Sequence, residues 1–380
     1  MIFNGPFPYR AHWQVALASV FYFTGVVTYL VFAALLIARW VMYPHVALRR
    51  AMSDPDGLGA YAIPPIALMT IAALTASQVS TGPWAGHGWT IVAYVLWWIG
   101  VSWIFATAIV VLMVLIYTGN QADRVMTPVL FMTPVGLATA GTEAGFITVY
   151  SNSMSARMAV PQIIVGYFAT GAALFMAIIL YTIFFHRLLV AGFIAPAKRP
   201  ASFILVGPCG QLGTAFQILG TSVNQYMRFA RYKPAAVHPP DLGTFWTPET
   251  GQGVDGAGIF LSLLLLGFDY LCLAIAIIAV LDVFVKRQAT YTLSWWAIVF
   301  PTVTLTSAWL QLSFAMDSPT FRGLTTSMLL LLSVVYVINL GFTLRGIVNG
   351  SLVFAKTQMQ IEDDMMAQAK REGDGSDKEV

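Results

Sequence analysis

The stretch from Val206 to Gly213 (VGPCGQLG) contains residue types that could guide a solute through an apolar helix. Gly207 and Gly210 let another backbone or a solute approach closely, and Pro208 removes a backbone donor. Gln211 adds a neutral hydrogen-bond donor and acceptor. Because small residues also mediate close packing between membrane helices, the segment predicts packing, either alone or together with a solute path.

A second segment, from Trp295 to Ser307, combines a bulky ring, a proline and a run of hydroxyl groups. Phe300 stands beside Pro301, where its ring could plug a pore, since a hydrophobic constriction can gate by dewetting. An ordinary core phenylalanine explains the same residue. Thr302 and Thr306 are four residues apart and therefore share one face of a helix.

Two further spans combine proline with small and hydroxyl residues. Pro64 precedes Thr70, and Pro134 is followed by Gly136 and Thr139. Glycine, alanine, serine and threonine offer weak, uncharged hydrogen bonds to a passing solute. Such a lining favours passage over tight binding, because a conducted solute must also be released.

Two carboxyl groups fall within apolar spans, where acidic residues are costly and often functional. We expect Glu143 to lie near the outer end of its span, either hydrated or paired, with a proton relay as the alternative. For Asp269 we expect a partner on a neighbouring helix, with proton coupling as the alternative. The five histidines are scattered near span ends, so no metal, cofactor or catalytic site is predicted.

The composition indicates how these residues are held. Hydrophobic residues make up 58% of the chain and charged residues only 10%, whereas soluble domains carry about 25% charged residues. Each apolar segment exceeds the roughly 20 residues needed to cross a membrane. We therefore predict an all-α polytopic membrane protein with about nine transmembrane helices, near 13–42, 61–81, 89–117, 126–150, 158–190, 201–227, 256–285, 292–315 and 323–355.

Proline alternates along these spans. Four of them carry proline well inside, whereas the spans between them are free of it or have it only at the start, as at Pro161. Lipid does not satisfy the carbonyls that proline frees, so kinked helices belong inside protein. The pattern predicts helical hairpins, each with a Pro-kinked inner helix facing a central pore and a straight outer helix facing lipid. The first span is an outer helix without a preceding inner one.

The basic residues predict the orientation. With the amino terminus outside and nine spans, fourteen of the twenty Lys and Arg residues fall inside, so the positive-inside rule favours a cytoplasmic carboxyl terminus. The net charge of +3 is too small to suggest nucleic acid. We expect one transmembrane domain over residues 1–356, an irregular outer loop over 228–255, and a disordered cytoplasmic tail over 357–380.

These features resemble the tellurite-resistance/dicarboxylate transporter family, which includes plant slow-type anion channels and fungal malate permeases. Within the family, the chain is most similar to the fungal sulfite exporters. The matching pieces run in order along residues 7 to about 350: FPYRAHW from Phe7, YAIP from Tyr61, YVLWW from Tyr94, LVGPCGQ from Leu205 and WWAIVFP from Trp295.

The resemblance implies ten helices arranged as five hairpins around a central pore, and a homotrimer in which each protomer holds its own pore. It also implies that Phe300 occludes the pore. The family's first inner helix would precede Phe7. A mispredicted start site, a truncated variant and a nine-helix protein each account for this, and we favour the first.

The function favoured by this resemblance is export of a small inorganic anion, sulfite or bisulfite, across the plasma membrane. A C4-dicarboxylate (malate) permease is the alternative; the kinked spans contain no Lys or Arg to bind two carboxylates. A non-transporting remnant or regulatory subunit is a third hypothesis. An intramembrane enzyme would need a cluster of catalytic residues at one depth, and the scattered histidines argue against it.

Overall fold

The computed structural model describes residues 12–53, 55–118, 126–232, 245–350 and 352. Across these residues the regular structure is helical, with no strand. The α-helices are α1 (His12–Met42), α2 (Pro44–Ser53), α3 (Pro55–Ala60), α4 (Ile63–Leu74), α5 (Gly86–Thr118), α6 (Met132–Tyr150), α7 (Ala156–Ala191), α8 (Val206–Asn224), α9 (Arg228–Arg231), α10 (Pro248–Val285), α11 (Val299–Ala315) and α12 (Pro319–Val348).

Eight helical segments of the described chain are long and apolar enough to cross a membrane. This confirms the all-α polytopic membrane fold. The remaining predicted span, 126–150, is α6, which is not among the eight. Sixteen of its nineteen residues are buried. A helix wrapped by other helices can be rich in Gly and Thr, because its surface does not meet lipid.

The prolines lie at a different point of the helices than predicted. A 3₁₀ stretch leads directly into α6, α8 and α11. Pro134, Pro208 and Pro301 are each the third residue of the α-helix that follows, and Pro65 has the same place in α4. Proline is tolerated in a first turn. The prolines therefore mark where the α-helices begin and do not interrupt them, which corrects the prediction of mid-helix kinks.

The first turns of these four helices are neighbours. A Cβ atom added at Gly136 would lie 3.2 Å from the Cγ1 atom of Ile66 on α4. One added at Gly207 would lie 3.0 Å from Val135 on α6 and 3.7 Å from Pro301 on α11. The four proline-bearing turns thus share one end of the bundle.

The other ends of α6 and α8 also meet, because the hydroxyl oxygens of Thr148 and Ser222 are 2.5 Å apart. The two helices are therefore parallel. The helices α4, α6, α8 and α11 pack side by side in that order, and the chain returns between them through α5, α7 and α10. We call these four parallel helices the inner arc.

Burial separates α8 and α11 from the returning helices, but it does not separate α4. In the most apolar 18 residues of each segment, 94% of residues are buried in Pro196–Arg231, which contains α8, and 61% in Leu293–Ala315, which contains α11, against 33% in α5 and α10. The α4 segment, Gly57–Val79, and α7 are equally buried, at 44%. The returning helices expose large apolar side chains, such as Phe175 on α7 and Leu264 on α10. These faces are suited to lipid.

Two boundaries differ from prediction. The helix α10 begins at Pro248, inside the predicted loop 228–255, because Thr247 accepts a hydrogen bond from the Thr250 amide and Pro248 suits the first helical position. The short helix α9 lies in the same predicted loop. Residues 233–244 of that loop and the predicted tail 357–380 lie outside the described residues.

Packing divides the chain into two compact units, Met1–Leu332 and Ser333–Val380. The first contains the inner arc and its returning helices. Of the second, the structure describes the latter part of α12 and Leu352. Whether residues 1–356 form one domain stays a prediction.

Substitution of Gly210 tests the close contact within the arc. A Cβ atom there would lie 2.6 Å from both the Leu305 amide nitrogen and the Thr304 Oγ1 atom. We expect G210A to destabilise the protein by about 1–3 kcal/mol, the usual cost of overpacking. The measurement is the midpoint of thermal unfolding in detergent. The matched control is G171A, because nothing lies within 4 Å of the added Cβ. Equal midpoints for the two variants would contradict the packing described.

Candidate transport pathway

The helices α6 and α8 are two copies of one pattern. Each has nineteen residues. Aligned from their first residues, both have proline at the third position and glycine at the fifth. Glu143 of α6 then coincides with Gln217 of α8, and Thr148 coincides with Ser222. Sequence reasoning recognised the prolines but missed this register, which aligning the helices on Pro134 and Pro208 would have revealed.

The predicted glycines are contact points between helices. Gly136 faces Ile104 of α5, Gly207 lies between α6 and α11, and Gly210 abuts the backbone of α11 at Leu305. These contacts agree with the packing interpretation of both segments. A path along the same glycines stays a prediction.

Hydrogen bonds between side chains and carbonyl groups join the packed helices. Thr142 of α6 donates to the Gln211 carbonyl of α8 at 3.2 Å. The Thr304 hydroxyl of α11 lies 3.2 Å from the Gly207 carbonyl of α8, while its shorter bond, at 2.6 Å, is to the Pro301 carbonyl of α11. Trp97 of α5 donates to the Ala140 carbonyl of α6 at 2.9 Å. Such bonds hold membrane helices together where no water competes. Gln211 itself is buried, at 7% exposure.

Four threonine hydroxyls of the inner arc donate to backbone carbonyl groups four residues earlier in the chain. Thr70, Thr139 and Thr306 lie five residues after Pro65, Pro134 and Pro301, and each donates to the carbonyl four residues earlier. Thr302 does the same toward Ile298 at 2.6 Å. A hydroxyl whose proton is used in this way offers other groups an acceptor. These threonines therefore give an anion little to bind.

Phe300 and the two predicted threonines lie on different sides of α11. Phe300, Val303 and Ser307 are spaced three and four residues apart and are all partly exposed. We call these three residues the open face of α11. Thr302 and Thr306 are buried on another side. The geometry therefore permits Phe300 to face a pathway but does not place the two threonines beside it. Pro64, at the start of α4, is also partly exposed.

Glu143 differs from expectation because it is buried and does not lie at the end of its helix. It lies seven residues before the last residue of α6 and is 3% exposed. The Thr70 hydroxyl of α4, which donates to the Ile66 carbonyl at 3.0 Å, lies 3.4 Å from one carboxyl oxygen of Glu143, and the other oxygen has no hydrogen-bond partner in the described chain. This long contact compensates little of the cost of burying a carboxyl group.

Asp269 also contradicts its prediction. The carboxyl group is fully buried, and neither oxygen has a hydrogen-bond partner among the residues that the structure describes. It belongs to a buried stripe of mostly small residues on α10. Because α10 is apolar on its other faces too, hydrophobicity alone did not show that Asp269 points inward. Spacing of small and polar residues by three and four was the available signal.

The described basic residues lie outside the four inner helices. At the end of the bundle where the inner arc begins, Arg199 and Lys286 both pair with Asp282. At the opposite end, Arg228 is buried near the ends of α6 and α8, a contact that sequence reasoning missed. No group of three or more His, Cys, Asp or Glu residues within the described ranges could hold a metal ion. Cys209 and Cys272 are buried and free.

Comparison with known proteins agrees with this architecture. The family model SLAC1, voltage-dependent anion channel, matches residues 1–344. The sulfite efflux pump SSU1 of Trichophyton rubrum is 22% identical over 339 residues, covering 88% of this chain and 84% of that protein. A putative malic acid transport protein of Schizosaccharomyces pombe is 24% identical over 322 residues, covering 83% of this chain and 69% of the other. The chain therefore belongs to the SLAC1 family of voltage-dependent anion channels.

Proposed function

We propose that this member of an anion channel and transporter family exports sulfite or bisulfite. The observation that carries the proposal is the inner arc: four parallel helices without Lys or Arg, joined by small residues. The positive ends of their helix dipoles share one end of the bundle, which attracts anions. An uncharged lining binds an anion weakly, so it can leave again. The names of the similar fungal pumps support the choice of sulfite.

Malate is the second candidate, because a putative malic acid transport protein is also similar to the chain. A dianion with two separated carboxylates is bound well by fixed cations. The inner arc offers none. The smaller inorganic anion therefore fits the arc better.

We place the protein in the plasma membrane as a homotrimer with a cytoplasmic carboxyl terminus. The first turns of the inner arc then face the cytoplasm. A negative cell interior drives anions outward, at about 2.3 kcal/mol per charge and 100 mV. The membrane potential therefore favours efflux, and proton coupling through Glu143, proposed below, would add to that driving force. The family comprises channels and transporters, and enzymatic activity is no part of the proposal.

A flux assay in liposomes tests the substrate. We expect the purified chain to accelerate sulfite efflux, and we expect unlabelled sulfite to reduce malate flux more than malate reduces sulfite flux. Empty liposomes and liposomes with the destabilised G210A variant are the controls. Malate transport that sulfite does not inhibit would reverse the assignment.

Phe300 is proposed as the pore gate. Its ring packs partly against the core and lies on the open face of α11. We expect F300A to raise sulfite flux several-fold, because removing a hydrophobic plug lets water enter the constriction. The control is F314A, a change of the same size at an exposed phenylalanine nearer the other end of α11. Flux from F300A equal to that of the wild type would contradict a gating role.

Glu143 is proposed to couple transport to protons. It is a buried carboxyl group on the inner arc without a cationic partner in the described structure. Buried acids in membrane proteins frequently form proton relays. The equivalent residue of α8, Gln217, is a neutral amide that donates to Ser262 at 2.7 Å. A glutamine is therefore accommodated at the position of α8 that corresponds to Glu143 of α6.

The variant E143Q separates coupling from packing. We expect it to fold like the wild type and to transport sulfite, but at a rate that no longer responds to an imposed pH gradient. Parallel measurement of D269N shows whether the buried acid on α10 shares the role. A wild-type rate that ignores the pH gradient, or an unchanged response in E143Q, argues against coupling through Glu143.

A further inference from the structure

Arg228 connects the last turns of two inner helices. Its guanidinium donates to the Ser222 carbonyl of α8 at 3.0 Å and to the Thr148 carbonyl of α6. It also donates to the Gln225 side chain at 3.3 Å. The residue is 3% exposed, its Nε atom has no partner, and it forms no ion pair with any described residue. Arg228 is therefore a buried positive charge whose partners are all neutral.

The two carbonyl groups are equivalent in the aligned helices. In α6 the Ser151 amide, just beyond the helix, donates to the Ile147 carbonyl, and in α8 the Gln225 amide donates to the Thr221 carbonyl. The carbonyls one residue later, at Thr148 and Ser222, receive no such amide, as expected in a last turn. Arg228 donates to both of these carbonyls. One side chain therefore caps the carboxyl ends of both α6 and α8.

The backbone reaches this position through an unfavourable conformation. Tyr226 and Met227 have φ angles of 56° and 50°, although neither is glycine. Two successive left-handed residues reverse the chain, so that Arg228 returns over the helix ends. Strained backbone persists only where surrounding contacts enforce it. The contacts at this turn include the guanidinium, which lies over the Tyr226 ring, and the buried Phe229, whose ring packs against Trp246.

The parallel arrangement creates an electrostatic problem at this end. Each helix carries the equivalent of about half a negative charge at its carboxyl terminus. The inner helices are parallel, so these charges collect at the end opposite the proline-bearing turns. An anion that entered easily at the positive ends would be repelled here. The full positive charge of Arg228 is about equal to the two half-charges of α6 and α8.

We infer that Arg228 lowers the barrier to anions at this end of the inner arc by neutralising the joined ends of α6 and α8. It acts as a positioning residue, through the helix ends and its field. The inference rests on the proposed anion transport. It assigns two separable roles to one side chain: a clamp that depends on guanidinium shape and an electrostatic effect that depends on charge.

Three variants in liposomes separate these roles. R228K keeps the charge but offers one ammonium in place of a two-pronged guanidinium, so we expect a lower unfolding midpoint with sulfite flux within about twofold of wild type. R228Q removes the charge, so we expect sulfite flux at least about threefold lower, and because the charge is buried the loss should persist at high salt. R231Q removes an equal charge from an exposed site three residues away and should leave both readouts unchanged.

The outcomes distinguish this inference from the proposed function. Flux that falls equally in R228K and R228Q, or follows the unfolding midpoint alone, assigns Arg228 a purely structural role and overturns the inference. Unchanged flux in R228Q overturns it too. A wild-type chain that moves neither sulfite nor malate overturns the proposed function itself. In that case the unfolding midpoints of R228K and R228Q still test whether the guanidinium holds the ends of α6 and α8 together.

Discussion

The close approach of α8 to its neighbours is the contact on which the architecture depends. Gly210 brings α8 against α11 at a distance that a Cβ atom would not allow, and Gly207 lies close to both α6 and α11. Apolar burial does not drive helices together within lipid, so backbone proximity and short polar bonds must. The threonine-to-carbonyl bonds between α6, α8 and α11 form because the backbones are this close. The inner arc and its shared polarity follow from that contact.

The parallel arrangement of the inner helices places their charged neighbours at the two ends of the arc. Four proline-bearing turns meet at one end, where Arg199 and Lys286 share Asp282. The carboxyl ends of α6 and α8 meet at the other, where Arg228 binds both. Between the ends, threonine hydroxyls donate to carbonyl groups of their own or of a neighbouring helix, and the four inner helices carry no basic side chain. The charged groups therefore lie at the ends of the arc, and its middle contains the buried Glu143. This distribution suits brief occupation by an anion better than tight binding.

Much of the fold could be predicted from sequence, because membrane spans are long apolar segments and proline is easily recognised. The alternation of proline-bearing and proline-free spans correctly singled out α6, α8 and α11 as buried helices, whereas α4 is no more buried than α7. It placed the prolines wrongly, since a 3₁₀ stretch before an α-helix has no composition that distinguishes it from more α-helix. The register between α6 and α8 follows from the sequence once the two helices are aligned on Pro134 and Pro208.

Other features of the candidate pathway could not be predicted. The return of Arg228 depends on left-handed Tyr226 and Met227, residue types that seldom adopt that conformation. The inward orientation of Asp269 was hidden because α10 is apolar on every side. Phe300, Thr302 and Thr306 were correctly assigned to one helix. The sequence could not show that Phe300 is partly exposed whereas Thr302 and Thr306 are buried, because burial depends on how the helices pack.

The central claim is that the open face of α11 meets water inside the membrane. Cysteine labelling in intact membranes tests it most directly, with a small, charged, water-soluble thiol reagent applied to S307C, on the open face, and to L264C, on the exposed apolar side of α10. Both native cysteines are buried, so the background should be low. The account predicts that S307C reacts and L264C does not. Equal protection of the two cysteines would mean that lipid covers both faces, and would contradict a water-filled pathway beside the inner arc.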